Sequence, residues 1–81
     1  MERYETENYI LEYSEEEKAI LLHVLNRWIR LKLRTPMLIS HDGETWIKLG
    51  GGKALTTEDI KTIFDIPEEQ IQAIKQKIKS P

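Results

Sequence analysis

Residues 37–49, Met-Leu-Ile-Ser-His-Asp-Gly-Glu-Thr-Trp-Ile-Lys-Leu, decide the fold prediction because they contain a hairpin signal. Two short apolar-rich runs flank Asp42-Gly43. Asp-Gly between such runs favours a two-residue turn whose backbone needs positive φ at both positions. The sequence therefore predicts an antiparallel hairpin in which Ile39 lies opposite Trp46.

That pairing sorts the hairpin side chains onto two faces. One face carries the apolar side chains that we expect in the core: Leu38, Ile47 and Leu49. The other face has an apolar centre with a charged rim, and it holds the partner-binding candidates Met37, Ile39, Trp46 and Lys48 beside His41 and Glu44. Such a centre is typical of protein–protein interfaces. The alternative is that the C-terminal helices cover this face, which would then belong to the core.

Upstream of the hairpin, the sequence predicts a strand followed by a long helix. Residues 8–13 alternate so that three large side chains share one face, as in a strand: Tyr9, Leu11 and Tyr13. Ser14 and Glu17 have the spacing of a capping box. This predicts a helix from Ser14 to about Leu33, because Pro36 prevents its continuation.

The predicted helix is apolar over more than half of its circumference, whereas a surface helix has a narrower apolar stripe. It therefore needs cover on two sides, either from the sheet and the C-terminal helices or from another subunit, so a homodimer is one expectation. The remaining sector holds a basic ridge of four partner-binding candidates: His23, Arg27, Arg30 and Arg34. Arginines in this pattern favour a partner rich in carboxylates or phosphates. The alternative is a solvated face whose cations suit the helix C-terminus.

Downstream of the hairpin, residues 50–52 are three glycines, which predict a linker. Two helices follow, predicted over 56–64 and 67–79. Thr56 or Thr57 is expected to cap the first of these helices, and Pro67 is expected to start the second.

The predicted order β-α-β-β-α-α indicates an α+β fold, with a short antiparallel sheet packed on a long apolar helix and a C-terminal helical hairpin. At 81 residues the chain is expected to form one domain, 1–81. Within it we expect a strand-helix-hairpin unit over 8–49, the glycine linker over 50–52 and a helical tail over 56–79.

The tail, residues 57–74, resembles a helix-turn-helix unit, with matching apolar positions at Ile60, Phe64, Ile66, Ile71 and Ile74. The resemblance implies an alternative function as a nucleic-acid-binding regulator. The second helix of such a unit meets bases and phosphates with its N-terminal residues. Glu68 and Glu69 stand there and oppose the phosphate charge. The sequence therefore makes DNA binding the minority option.

Enzyme-like features of the sequence do not combine into a site. Residues 40–42 are Ser-His-Asp, but neighbours on a strand point to opposite faces and cannot form a triad. The two histidines have no metal-ligand spacing. Residues 50–53, Gly-Gly-Gly-Lys, lack the spacing of a phosphate-binding loop. We therefore expect no catalysis, metal or cofactor.

Composition narrows the function further. The chain has no cysteine, which excludes disulfide scaffolds and thiolate metal sites, and its net charge of −2 gives no general attraction to nucleic acid. No apolar run reaches the roughly 18 residues of a membrane span, and no signal peptide is evident, so a cytoplasmic protein is expected. The predicted function is a small non-enzymatic protein–protein interaction module that regulates or inhibits a larger macromolecule. Small chains without an active-site constellation are often phage or mobile-element accessory proteins, so such a protein is one expectation from size alone.

Overall fold

Six strands form one antiparallel sheet in the part of the chain that this computed structural model describes, residues 3–24 and 38–79. Each strand pairs with the next one along the sequence. The strands are β1 (Arg3–Glu5), β2 (Tyr9–Ser14), β3 (Ala19–Val24), β4 (Leu38–Ser40), β5 (Thr45–Lys48) and β6 (Leu55–Thr56). Two helices follow, α1 (Thr57–Phe64) and α2 (Glu68–Lys79). The predicted α+β fold class is confirmed.

Alternate side chains of the strands build the hydrophobic core on one face of the sheet. Leu11 of β2 lies opposite Leu22 of β3, which in turn lies opposite Leu38 of β4. Both helices pack on this face and complete the buried cluster of Tyr9, Leu11, Ile20, Leu22, Leu38, Trp46, Ile60, Ile66, Ile71 and Ile74. We call the opposite face of the sheet the outer face.

The long apolar helix predicted from Ser14 to about Leu33 is wrong over residues 19–24, which form β3. The rest of that prediction, residues 25–33, lies outside the described residues. β3 pairs with β2 on one side and β4 on the other, and both of its faces carry largely buried side chains. A strand that is buried on both faces and a helix that is buried on all sides both have a continuous apolar sequence. Periodicity alone therefore does not distinguish the strand from the helix.

The hydrogen bond expected of the Ser14 cap does form, but it closes a turn between two strands. The Glu17 amide donates to Ser14 Oγ at 3.2 Å. Lys18 then adopts a left-handed conformation, with φ at 54°. A left-handed residue turns the chain back and does not continue a right-handed helix. The capping pattern therefore predicted the local bond correctly and the element after it wrongly.

The hairpin of β4 and β5 is confirmed, but its predicted register is wrong by one residue. Ile39 lies opposite Ile47, where the sequence predicted Trp46. A shift of one residue moves every side chain of a strand to the other face. Trp46 therefore points into the core, and the side chains of Ile47 and Leu49 are exposed.

The register differs because the two-residue turn does not form at Asp42-Gly43. Gly43 has φ at 77°, but Asp42 is not among the residues with positive φ, which this turn requires at both positions. The Asp42 carboxylate instead accepts hydrogen bonds from the amides of Glu44 and Thr45, both at 2.8 Å. This wider loop uses an Asp side chain to replace backbone bonds, as Asx turns do.

Both tail helices form over the predicted residues. The side chain of Thr56 accepts a hydrogen bond from the Asp59 amide at 3.2 Å, and the Asp59 carboxylate accepts one from the Thr56 amide at 3.1 Å. This capping box satisfies amides that the first turn of α1 leaves without partners. Asp65 ends α1 in a left-handed conformation with φ at 53°, and its amide bonds to the carbonyl of Lys61.

Candidate functional site on the outer face of the sheet

One row of side chains crosses five strands of the outer face. Successive strand registers place its members directly opposite one another, in the order Arg3, Glu12, Leu21, Ile39 and Ile47. The row starts with two oppositely charged residues and continues with three aliphatic ones. The outer face is therefore divided into a charged half near β1 and an apolar half near β5.

The apolar half and the turn directly after β5 each hold one large aliphatic side chain that faces solvent. Ile47 is 50% exposed and Leu49 is 47% exposed. Leu21 and Ile39 lie beside Ile47 in the row and are half-buried. Both described helices pack on the other face of the sheet. Neighbouring exposed aliphatic residues with charged residues next to them are typical of protein interaction sites.

The charged half is centred on Glu12. The guanidinium of Arg3 lies 3.8 Å from the Glu12 carboxylate, and His23 Nε2 lies 2.9 Å from Glu12 Oε1. His23 is only 6% exposed, and its Nδ1 atom has no hydrogen-bond partner within residues 3–24 and 38–79. Glu12 is therefore held between two basic side chains on a pleated surface, where the charge positions are fixed by strand register.

A groove of about 520 Å³ opens next to Glu12. Its lining includes three carboxylates and one amine, those of Glu12, Glu15, Glu16 and Lys77, together with the aliphatic Leu21. The excess of negative charge favours a basic side chain of a bound partner. The groove therefore extends the charged half of the outer face toward the C-terminal end of α2.

Ser40 and Asp42 form the frame of the hairpin loop and do not face His41 in a catalytic arrangement. The Ser40 hydroxyl donates to Asp42 at 3.3 Å and accepts from the Gly43 amide at 2.9 Å. Amide donors from Thr45 and then Glu44 hold the pKa of the Asp42 carboxyl below its usual value. Stability from these bonds is present above the unfolded pKa of the carboxyl and is lost as the pH falls through its lower folded value.

Trp46 and Thr57 connect this loop to the start of α1. The Thr57 hydroxyl donates to the Gly43 carbonyl at 2.7 Å and accepts from Trp46 Nε1 at 3.0 Å. Trp46 is 0% exposed. The C-terminal helices therefore cover Trp46, whereas Ile39, which was predicted on the same face, lies on the outer face, so the predicted face does not form as a unit.

The partner-binding candidates from the sequence fall into three groups in the structure. Ile39 is half-buried on the outer face and Lys48 is exposed at the end of β5. Trp46 and His23 are buried, and His23 lies on a strand, so it cannot begin a ridge with helical spacing. The remaining candidates, Met37, Arg27, Arg30 and Arg34, lie outside the described residues.

The sequence reasoning missed Glu12, Leu21, Ile47 and Leu49 as surface candidates. The sequence predicts Ile47 and Leu49 in the core; the register shift of one residue places Ile47 on the outer face, and Leu49 lies in the turn after β5. Glu12 and Leu21 face one another because residues 19–24 form a strand. A sequence signal for that strand was its apolar run directly after a turn-forming segment.

Other features of the described residues add no second site. Within residues 3–24 and 38–79, no group of three or more His, Cys, Asp or Glu side chains could hold a metal ion. Over the same ranges, no helix has the length and apolar character needed to cross a bilayer. Comparisons with models of known protein families, with curated proteins and with solved structures found no match to this chain.

Proposed function

We propose that this chain is a non-enzymatic protein–protein interaction module that regulates or inhibits a larger macromolecule and binds it through the outer face. The observation that carries the proposal is the 50% exposure of Ile47 on the face opposite the helices, followed by the 47% exposed Leu49 in the turn after β5. Burying such side chains against a partner releases about 25 cal/mol for each Å² of apolar surface removed from water. The apolar half thus supplies affinity.

The charged half supplies selectivity for the partner. Arg3 and Glu12 are fixed beside the apolar row by strand register, and a partner must present charges that match them. The acidic groove at Glu12, Glu15 and Glu16 favours a basic residue of the partner at that end. We therefore expect the partner surface to have an aliphatic or aromatic centre with basic residues on one side.

Ile47→Asp is expected to weaken partner binding at least tenfold while the fold is retained. A charge at the centre of an apolar contact is desolvated without a counterion, and truncation of interface anchors typically costs about 2 kcal/mol or more. The partner is first identified by crosslinking the purified chain in native cell extract and by mass spectrometry. Its affinity for wild type and variant is then measured by calorimetry with the purified partner.

Ile63→Asp is the matched control for this measurement. Ile63 is an isoleucine with 59% exposure, and it lies on α1, on the other side of the sheet. We expect this variant to bind the partner like wild type. Equal binding by wild type and Ile47→Asp, or a loss confined to Ile63→Asp, would contradict the proposal that the outer face is the binding surface.

The alternative function, a helix-turn-helix-like nucleic-acid-binding regulator, has its support in the pairing of α1 and α2 about the left-handed Asp65. The charges at the start of α2 oppose it. Glu68 and Glu69 lie in the first turn of α2, and Glu68 forms an ion pair with Lys61. The Glu68 carboxylate raises the pKa of the Lys61 amine and keeps this cation engaged within the protein.

We expect no sequence-specific duplex binding at physiological salt, about 0.15 M. Two carboxylates at the head of α2 repel phosphates, and the chain has a net charge of −2. Specific binders typically reach about 10⁻⁸–10⁻¹¹ M. Fluorescence anisotropy with a randomised duplex library, followed by sequencing of the bound fraction, measures this. Nanomolar binding with enriched sequences would make the nucleic-acid function the better proposal.

A further inference from the structure

β1 ends the sheet within the described residues, and it pairs on one side only, with β2. Its backbone hydrogen bonds can be assigned from the adjoining turn, where the Thr6 amide donates to the Tyr9 carbonyl at 2.9 Å. Hydrogen-bonded pairs alternate along an antiparallel ladder, so the next such pair is Tyr4 with Leu11. The amides and carbonyls of Arg3 and Glu5 therefore point away from β2, toward the edge that no described strand covers.

The other end of the sheet differs, because β6 is closed by the helix that follows it. β6 has two residues, Leu55–Thr56, and α1 begins immediately after them. The Thr56 amide is already bonded to the Asp59 carboxylate. The capping box thus protects this edge, and β1 is the edge with backbone groups directed outward.

The side chains of β1 are self-complementary. Arg3 and Glu5 carry opposite charges on either side of Tyr4, and both are exposed. Proteins that prevent edge pairing often place charged residues or proline on an edge strand. Here a two-fold axis through Tyr4 would bring opposite charges together, so the pattern attracts a second β1 strand and does not repel it.

We propose that the chain forms a two-fold symmetric dimer in which the β1 strands of two copies pair antiparallel about Tyr4. Arg3 of each copy then lies opposite Glu5 of the other, and both pairs use the outward amides and carbonyls. The two pairs make four backbone hydrogen bonds, since each hydrogen-bonded pair exchanges two. The two Tyr4 side chains meet on the core face, where Tyr4 is half-buried against the hydrophobic cluster.

The existing contacts of the charged side chains are compatible with this pairing. Arg3 reaches Glu5 and Glu12 at 3.9 and 3.8 Å, which is longer than a close charge-assisted hydrogen bond. Glu5 has a side chain that is 59% exposed. The Glu5 carboxylate of a second copy can therefore approach the Arg3 guanidinium without breaking a short hydrogen bond. The dimer joins the two sheets into one and continues the outer face across the axis.

Sedimentation equilibrium over a wide concentration range tests the dimer, with wild type, Arg3→Glu and Glu5→Arg. Each variant places like charges opposite one another at both pairs, and we expect its dimer dissociation constant to rise at least tenfold. An equimolar mixture of the two variants restores opposite charges at both pairs, and we expect it to associate like wild type. Glu69→Arg makes the same change in net charge as Glu5→Arg, but on the helical side, and should leave the dissociation constant unchanged.

Three results would overturn the proposal. Wild type could sediment as a monomer up to about 1 mM, which corresponds to very weak association. Both charge variants could dimerise like wild type, which would place the interface elsewhere. The variants could weaken the dimer while their mixture fails to restore it, which would exclude the register about Tyr4. Circular-dichroism melting of each variant confirms that it is folded.

Discussion

Trp46→Ala is expected to lower the free energy of unfolding by about 3–5 kcal/mol. Trp46 is the largest fully buried side chain among the described residues. Its removal leaves a cavity between the hairpin and α1, and it also removes the Nε1 donor that bonds to the Thr57 hydroxyl. Urea denaturation followed by circular dichroism measures the loss.

Trp46→Phe removes the Nε1 donor but leaves a much smaller cavity than Trp46→Ala, because it keeps an aromatic ring in the site. We expect it to cost about 1–2 kcal/mol, in the range of an unmade buried hydrogen bond. A loss within about 0.5 kcal/mol for Trp46→Ala, as in surface substitutions, would show that the side chain is not in the core.

Thr57→Val is expected to cost about 2–4 kcal/mol, although it changes the side-chain volume very little. It leaves two buried groups without a partner, the Gly43 carbonyl and the Trp46 indole N–H. Each such group typically costs about 1–3 kcal/mol. Thermal melting of the wild type and the variant at equal concentration measures the difference.

Thr57→Ser is the control for this prediction, since it keeps the hydroxyl and loses one methyl group, which costs about 0.8 kcal/mol. A double-mutant cycle with Trp46→Phe should show a coupling of at least about 0.5 kcal/mol, because both changes remove the same bond. Strict additivity of the two losses would indicate that the bond is not made.

The tail was predictable from sequence because its helices are defined by local signals. Thr56 and Asp59 form the capping box themselves, and Pro67 stands one residue before α2. The apolar spacing of Ile60, Ile71 and Ile74 also places their side chains on the buried side. Each signal depends on residues within one or two turns of one another, so no distant contact was needed to interpret it.

The element after Ser14 was not predictable in the same way. A polar cap and an apolar run describe a helix start and also a turn that leads into a central strand. The contacts that select the strand come from β2 and β4, of which β4 is distant in sequence. Local propensity gives no information about such pairing.

The candidate site depended on a register that the sequence could not resolve. Asp42-Gly43 favours a two-residue turn, and the competing loop gains its stability from side-chain bonds of Ser40 and Asp42. The Thr57 hydroxyl also anchors the loop, from a position 14 residues further along the chain. This one-residue difference decides whether Trp46 or Ile47 faces solvent, and so it decides the site.

The neighbour-to-neighbour order of the sheet has a consequence for how the chain folds. Because each strand pairs with the next, much of the ladder can form by closing connections between consecutive strands, which costs little chain entropy. The contacts that join distant parts of the sequence are those of α2, such as the hydrogen bond from Tyr9 to Gln70 at 2.8 Å. Docking of α2 onto β2 and β3 therefore closes the longest loop among these contacts, and it carries the largest cost in chain entropy.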